Sequence, residues 1–140
     1  MAEILGTGVD IVDIGRIAEL RKKHGDRLCG LVFLPAEMEY CLARANADEC
    51  LAARFAAKEA VMKALGTGWA EGVAFMGIEV VREGEGRPSI RLHGGAAAKA
   101  AALGVGRIHL SLSHSKEMAI AQAILEKKTA DFREGSPISL

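Results

Sequence analysis

The sequence predicts an α+β domain in which an antiparallel sheet is packed with a long central helix. Three observations predict it: a helix-forming run in mid-chain, a β-branched strand near the start, and two alternating strands near the end. The mid-chain run ends in the turn Gly66-Thr67-Gly68, and its alanines, Met62 and Leu65 are strong helix formers. Gly66 is a natural stop just past the last turn. Leu51, Phe55, Met62 and Leu65 recur at spacings of four, seven and three residues, which places them on one apolar stripe. Glu59 and Lys63 are then neighbours on the helix surface at the edge of that stripe, with Arg54 and Lys58 close by.

Residues 4–12 are β-branched and punctuated by glycine, as a first strand should be. Asp10 lies inside it between Val9 and Ile11, where a carboxylate is costly to bury unless a cation or donors satisfy it. Asp13 is placed to cap a helix over residues 14–23, with Ile14, Ile17 and Leu20 facing inward. Its outer face carries Arg16, Arg21, Lys22 and Lys23, with His24 and Arg27 just beyond. That basic face is either solvated or a docking patch. Residues 28–34 read as a short helix or loop. Pro35 fits the first turn of a helix reaching about residue 44, and Asp48 is placed to cap the central helix.

Residues 69–72 read as a mobile loop. Residues 75–82 and 88–92 read as two strands joined by a turn at 83–86, with Arg87-Pro88 opening the second. A small-residue helix follows over 95–103. Ile108, Leu110 and Leu112 then alternate with His109, Ser111 and Ser113, and residues 118–125 repeat the alternation, leaving 115–117 as a hairpin turn. We expect one domain over residues 1–126 and a flexible tail over 127–140.

Composition narrows the classes. A chain of 140 residues, 50% hydrophobic and 26% charged, is an ordinary globular domain. Basic and acidic residues number 18 each, which argues against general nucleic-acid binding. No apolar run approaches a membrane span and the start lacks a signal-peptide pattern, so a cytoplasmic location is expected. Cys29, Cys41 and Cys50 are odd in number and without CxxC spacing. They read as separate small buried hydrophobes, not as a disulfide or zinc site.

Three signals need a common account: Asp10, the run from Arg54 to Gly68, and Leu112-Ser113-His114-Ser115 in the late hairpin. Asp10 and Glu59 can together hold one Mg²⁺, which favours oxygen ligands and keeps substrate phosphates in its shell. Lys63, one turn from Glu59, would reach the same phosphates as a point charge or proton donor. At this level a Mg-phosphate enzyme, for which a nucleotide pyrophosphatase is one reading, and a non-catalytic module docking acidic helical partners through Arg16 to Arg27 both remain open.

Gly8-Val9-Asp10, then Arg54, Lys58-Glu59, Lys63 and Gly66-Thr67-Gly68, then Ser111-Leu112-Ser113-His114-Ser115 resemble the holo-acyl-carrier-protein synthases, the short 4′-phosphopantetheinyl transferases. The blocks stand in the family's order over about residues 4–125. The resemblance implies the 4′-phosphopantetheinyl transferase fold and transfer of phosphopantetheine from coenzyme A to a serine of an apo acyl carrier protein, releasing 3′,5′-ADP. It assigns Mg²⁺ to Asp10 and Glu59, a role with the serine hydroxyl to Glu59, and neutralisation or protonation of the leaving phosphate to Lys63. Arg54, His114 and Ser115 would lie by the nucleotide phosphates, Arg87 and Pro88 by the adenine end, and Gly66 and Gly68 would let backbone approach the ligand. Arg16, Leu20, Lys23 and Arg27 would receive the carrier's acidic helix. A homotrimer with shared active sites is implied. The chain departs from the family's pattern before the central helix, where only Arg44 is basic, so the 3′-phosphate lacks obvious partners.

Overall fold

The computed structural model describes residues 2–68, 70–82 and 86–129, apart from the Asp26 side chain. Strand β1 (Ile4–Asp13) leads into α1 (Ile14–His24), α2 (Asp26–Val32), α3 (Pro35–Leu42) and the long α4 (Ala47–Leu65). A 3-10 turn at Phe75–Gly77 precedes β2 (Ile78–Val81) and β3 (Ser89–Leu92), and α5 (Gly94–Leu103) leads into β4 (Val105–His114) and β5 (Met118–Lys127). The strands divide into two antiparallel sheets, β1-β5-β4 and β2-β3. The expected turn at 83–86, the loop at 69–72 and the tail over 127–140 lie wholly or partly outside the described residues. Within them, β5 runs on to Lys127, and the Lys128 amide donates to the Gly104 carbonyl at 2.8 Å.

Small residues set the central packing. One face of the three-stranded sheet presents Gly6 and Gly8 from β1 and Ala119, Ala121 and Ala123 from β5. Helix α4 meets it with Ala56, Ala57, Ala60 and Ala64, all buried. A Cβ on Gly8 would stand 1.9 Å from the Ala60 carbonyl oxygen, and one on Gly6 2.1 Å from that of Ala64. Helix backbone therefore rests on strand backbone with no side chain between them. The alanine-rich sequence is both helix-forming and thin enough to allow this.

So α4 is buried on most sides rather than along one stripe. Leu51, Met62 and Leu65 are buried as expected, Phe55 is only partly so, and Arg54 and Lys58 are buried with them. The helix ends at Gly66 in the left-handed conformation, φ 79°, which glycine adopts without strain. Its start differs from expectation. Asn46 is the N-cap and Asp48 lies in the first turn, where its carboxylate pairs with Arg21 Nε of α1 at 2.8 Å. An acidic group there still complements the helix dipole.

Helix α1 begins as predicted, with Asp13 Oδ1 accepting from the Arg16 amide at 3.2 Å. The β4–β5 turn is closed by Ser115 Oγ, which accepts from the amides of Glu117 and Met118. The cysteines correct the sequence reading: Cys41 and Cys50 form a disulfide with Cα atoms 5.4 Å apart, and Cys29 is buried. The break between α3 and α4 turns the chain back, bringing residues nine apart into bonding range.

Gly8→Ala tests the packing. It should cost about 3 kcal/mol in urea unfolding, the upper part of the overpacking range. A cost below about 1 kcal/mol would mean that helix and strand can separate freely.

Candidate active site

The packing of α4 on β1 brings chemistry to one end of the interface. Asp10 shares the sheet face of Gly8, one turn of alternation further along β1, and its side chain is 16% exposed. Lys63 reaches across from α4, its Nζ donating to Asp10 Oδ1 at 2.9 Å and to the Val9 carbonyl at 3.0 Å. Lys63 stands four residues from Glu59 on α4, as expected, and the structure adds its pairing with Asp10 across the seam. Glu59 and Asp10 line one cavity of about 570 Å³, walled by Ile17 and Leu20 of α1, Val32 and Phe33, and Phe55. Among the described residues no cluster of three or more potential metal ligands occurs. Two carboxylates converging on one cavity nevertheless suit a hard cation that takes its other oxygens from substrate and water.

Of the expected docking residues, Arg16 and Leu20 line this cavity, while Lys23 and Arg27 are exposed and do not. Arg21 also borders it, tied to Asp48.

A second region gathers three arginines and a histidine. Arg44, Arg54, Arg82 and His114 line a cavity of about 270 Å³ together with Tyr40, Glu49 and Ser113. The guanidinium carbons of Arg44 and Arg54 each stand 4.3 Å from the Tyr40 ring centroid, within cation–π range. Arg54 Nη1 donates to Cys50 Sγ at 3.3 Å, and its buried Nε has no hydrogen-bond partner. Burial lowers the Arg54 pKa from its ordinary value and the Arg82 charge adds to this, while Glu37 and Tyr40 oppose it. A buried guanidinium with an unmet donor beside a second arginine is a site waiting for an anion. Arg82, which sequence reading treated only as the end of a strand, is the residue it missed. No local pattern marks it, because the cluster is assembled from separate elements.

Arg82 and Leu112 also border a neighbouring cavity of about 480 Å³ that holds Arg87 and Pro88 with His109. Ser113 faces the His114 cavity, whereas Ser115 is engaged in the hairpin turn. Gly66 and Gly68 border none of these cavities, and both have positive φ with open space where a Cβ would stand.

Lys58 behaves differently from the other charges of α4. It is fully buried, with Nζ donating to Glu37 Oε1 at 2.7 Å and to the carbonyls of Phe75 and Ile78 at 2.9 and 2.6 Å. Glu37 accepts in addition from the amides of Leu34 and Val80. Burial lowers the Lys58 pKa, and Glu37 opposes it by charge and hydrogen bond. Lys58 thus clamps α3, α4 and the β2 segment together and does not face the cavities.

These features define a class. The profile of the 4′-phosphopantetheinyl transferase superfamily matches residues 6–123, and the chain belongs to that family. Within it the chain is 54% identical over 123 residues to the holo-[acyl-carrier-protein] synthase of Koribacter versatilis, covering 88% of this chain and 98% of that one. Among solved structures it is similar to the holo-[acyl-carrier-protein] synthase of Neisseria meningitidis, with TM-score 0.82 and 34% identity over 89% of this chain and 100% of the other. The Bacillus anthracis enzyme in complex with CoA (3′,5′-ADP) is 35% identical, with TM-score 0.72, over 89% of this chain and 98% of its own.

The buried pair predicts a stability result distinct from activity. Lys58→Ala leaves Glu37 charged and uncompensated and should cost about 3–5 kcal/mol in urea unfolding. Lys58→Met combined with Glu37→Gln removes both charges and should recover at least half of that. A Lys58→Ala cost below about 1 kcal/mol would contradict the clamp.

Proposed function

We propose that this chain transfers the 4′-phosphopantetheine group from coenzyme A to a serine of an apo acyl carrier protein, releasing 3′,5′-ADP. The observation that carries the reading is the convergence of Asp10 and Glu59, from separate elements, on one cavity bordered by the basic helix α1. Asp10 and Glu59 would hold Mg²⁺, which supplies charge neutralisation to the pyrophosphate when bound. Glu59 accepts the proton of the carrier serine as its oxygen attacks the β-phosphate. Lys63 is 51% exposed on a flexible stem, so its ammonium can pass from Asp10 to the leaving phosphate.

In this reading the anion site of Arg54 and His114, completed by Arg44 and Arg82, takes the nucleotide phosphates. That answers the scarcity of basic residues before α4: the cations come from the α3–α4 break, from α4 itself and from the end of β2. Arg87 and Pro88 border the adenine end, whereas Gly66 and Gly68 line none of the cavities and Gly66 serves to end α4. Ser115 would act only by shaping the turn that presents His114.

Arg16, Leu20, Lys23 and Arg27 receive an acidic carrier helix, which mainly speeds encounter and sets orientation. The opposite sheet face supports self-association. Val9 and Ile11 on β1 are 54% and 60% exposed, and Ile120 continues the patch on β5. Such a face fits another copy of this chain, and we take the enzyme to be a cytoplasmic homotrimer with one catalytic domain per chain.

The test is intact mass of apo acyl carrier protein after incubation with the enzyme, coenzyme A and Mg²⁺. We expect a gain of about 340 Da, lost with Glu59→Ala while the variant keeps its fold. Cleavage of coenzyme A with no gain in carrier mass would favour the pyrophosphatase instead. Neither reaction would leave the docking module.

A further inference from the structure

We infer that Cys41 and Cys50 form a reversible thiol–disulfide site that controls how tightly the Arg54–His114 cavity holds phosphate. The inference rests on the reading of that cavity as the nucleotide-phosphate site.

The bond joins the last turn of α3 to the first turn of α4 across the non-helical residues 43–46. Both cysteines adjoin the anion-binding groups. Tyr40 and Arg44 lie on the α3 side, Arg54 lies one turn after Cys50, and Cys50 itself lines the cavity. The contacts that hold the two guanidinium groups cross or abut the bond. They are the stacking of Arg44 and Arg54 on Tyr40, the hydrogen bond from Arg44 Nη2 to the Tyr40 hydroxyl and the hydrogen bond from Arg54 to the Cys50 sulfur. With the bond closed, the α3–α4 corner has one geometry and the Arg54 charge faces a neutral sulfur.

The two sulfurs differ in access. Cys41 is fully buried, whereas Cys50 is half-buried at the cavity wall. A dithiol reductant therefore attacks Cys50 Sγ as a thiolate. The new S–S bond forms there, the Cys41–Cys50 bond breaks, and Cys41 leaves as a thiolate that takes a proton. The reductant's second thiol then displaces Cys50, giving two protein thiols and an oxidised reductant, two electrons transferred in all. A disulfide in a thiol-rich compartment is commonly a state of this kind rather than a permanent staple. Reduction weakens phosphate binding because the corner bearing Tyr40 and Arg44 loses its tether to α4, so the stacking of Arg54 on Tyr40 across the break is no longer held in one geometry.

The test uses the full chain after oxidation by oxidised glutathione and again after dithiothreitol. Alkylation under denaturing conditions counts thiols in each state: with three cysteines and one bond, one label is expected oxidised and three reduced. Titration calorimetry with 3′,5′-ADP should then show binding about tenfold weaker in the reduced form, restored on reoxidation. Cys41→Ser, which alters no cavity-lining residue, should give the reduced affinity with or without reductant. Affinities within twofold in the two wild-type states would overturn the inference and leave the phosphate reading intact, as would three labels after oxidation. No binding in either state would overturn both.

Discussion

The close approach of α4 to β1 is the constraint on which the site depends. Asp10 belongs to the strand and Glu59 and Lys63 to the helix, and no local sequence element connects them. They meet because Gly6 and Gly8 let the carbonyls of Ala64 and Ala60 come to where a side chain would stand. Any larger residue at that seam would lift the helix by an ångström or more. The Lys63–Asp10 ion pair at 2.9 Å would then open, and the two carboxylates would no longer share a cavity. The alanines of α4 thus serve helix propensity, core packing and the placement of Glu59 and Lys63 beside Asp10 together.

Four of the charges on this helix, Arg54, Lys58, Glu59 and Lys63, show how burial sorts chemistry. Lys58 is enclosed and fully satisfied by Glu37 and two carbonyls, so its work is structural. Arg54, also buried, keeps a donor without a hydrogen-bond partner and lies close enough to Arg82 for that charge to act on it, so its charge is less fully compensated. Glu59 and Lys63 lie at the open end, where a carboxylate and a mobile ammonium can meet substrate. Residues a few positions apart acquire separate roles because successive positions on a helix face different neighbours.

Much of this was legible in the sequence. The strand carrying Asp10, the Asp13 cap, the proline at the start of α3, the Gly66 stop and the late hairpin all follow from local rules. Asp10, Glu59 and Lys63 were legible as a group through family resemblance, and Asp10 also through the cost of burying a carboxylate. What was illegible depends on three-dimensional convergence. An amphipathic-stripe reading could not show that α4 is covered on most sides, because alanine reads weakly in any apolar pattern. Nothing local marks Glu37 as the partner of Lys58 from 21 residues away, or Arg82 as a neighbour of Arg54. The spacing rule for cysteines likewise missed Cys41–Cys50, since the bond depends on how tightly the α3–α4 break turns.

The most direct measurement of the central claim, that Asp10 and Glu59 form one oxygen-donor site, uses Mn²⁺ as a paramagnetic stand-in for Mg²⁺. Electron paramagnetic resonance would follow the free Mn²⁺ signal as the enzyme is added with coenzyme A present. We predict loss of that signal at about one ion per active site, weakened at least tenfold by either Asp10→Asn or Glu59→Gln. Undiminished Mn²⁺ binding in both variants would contradict the account, because the metal would then be held elsewhere.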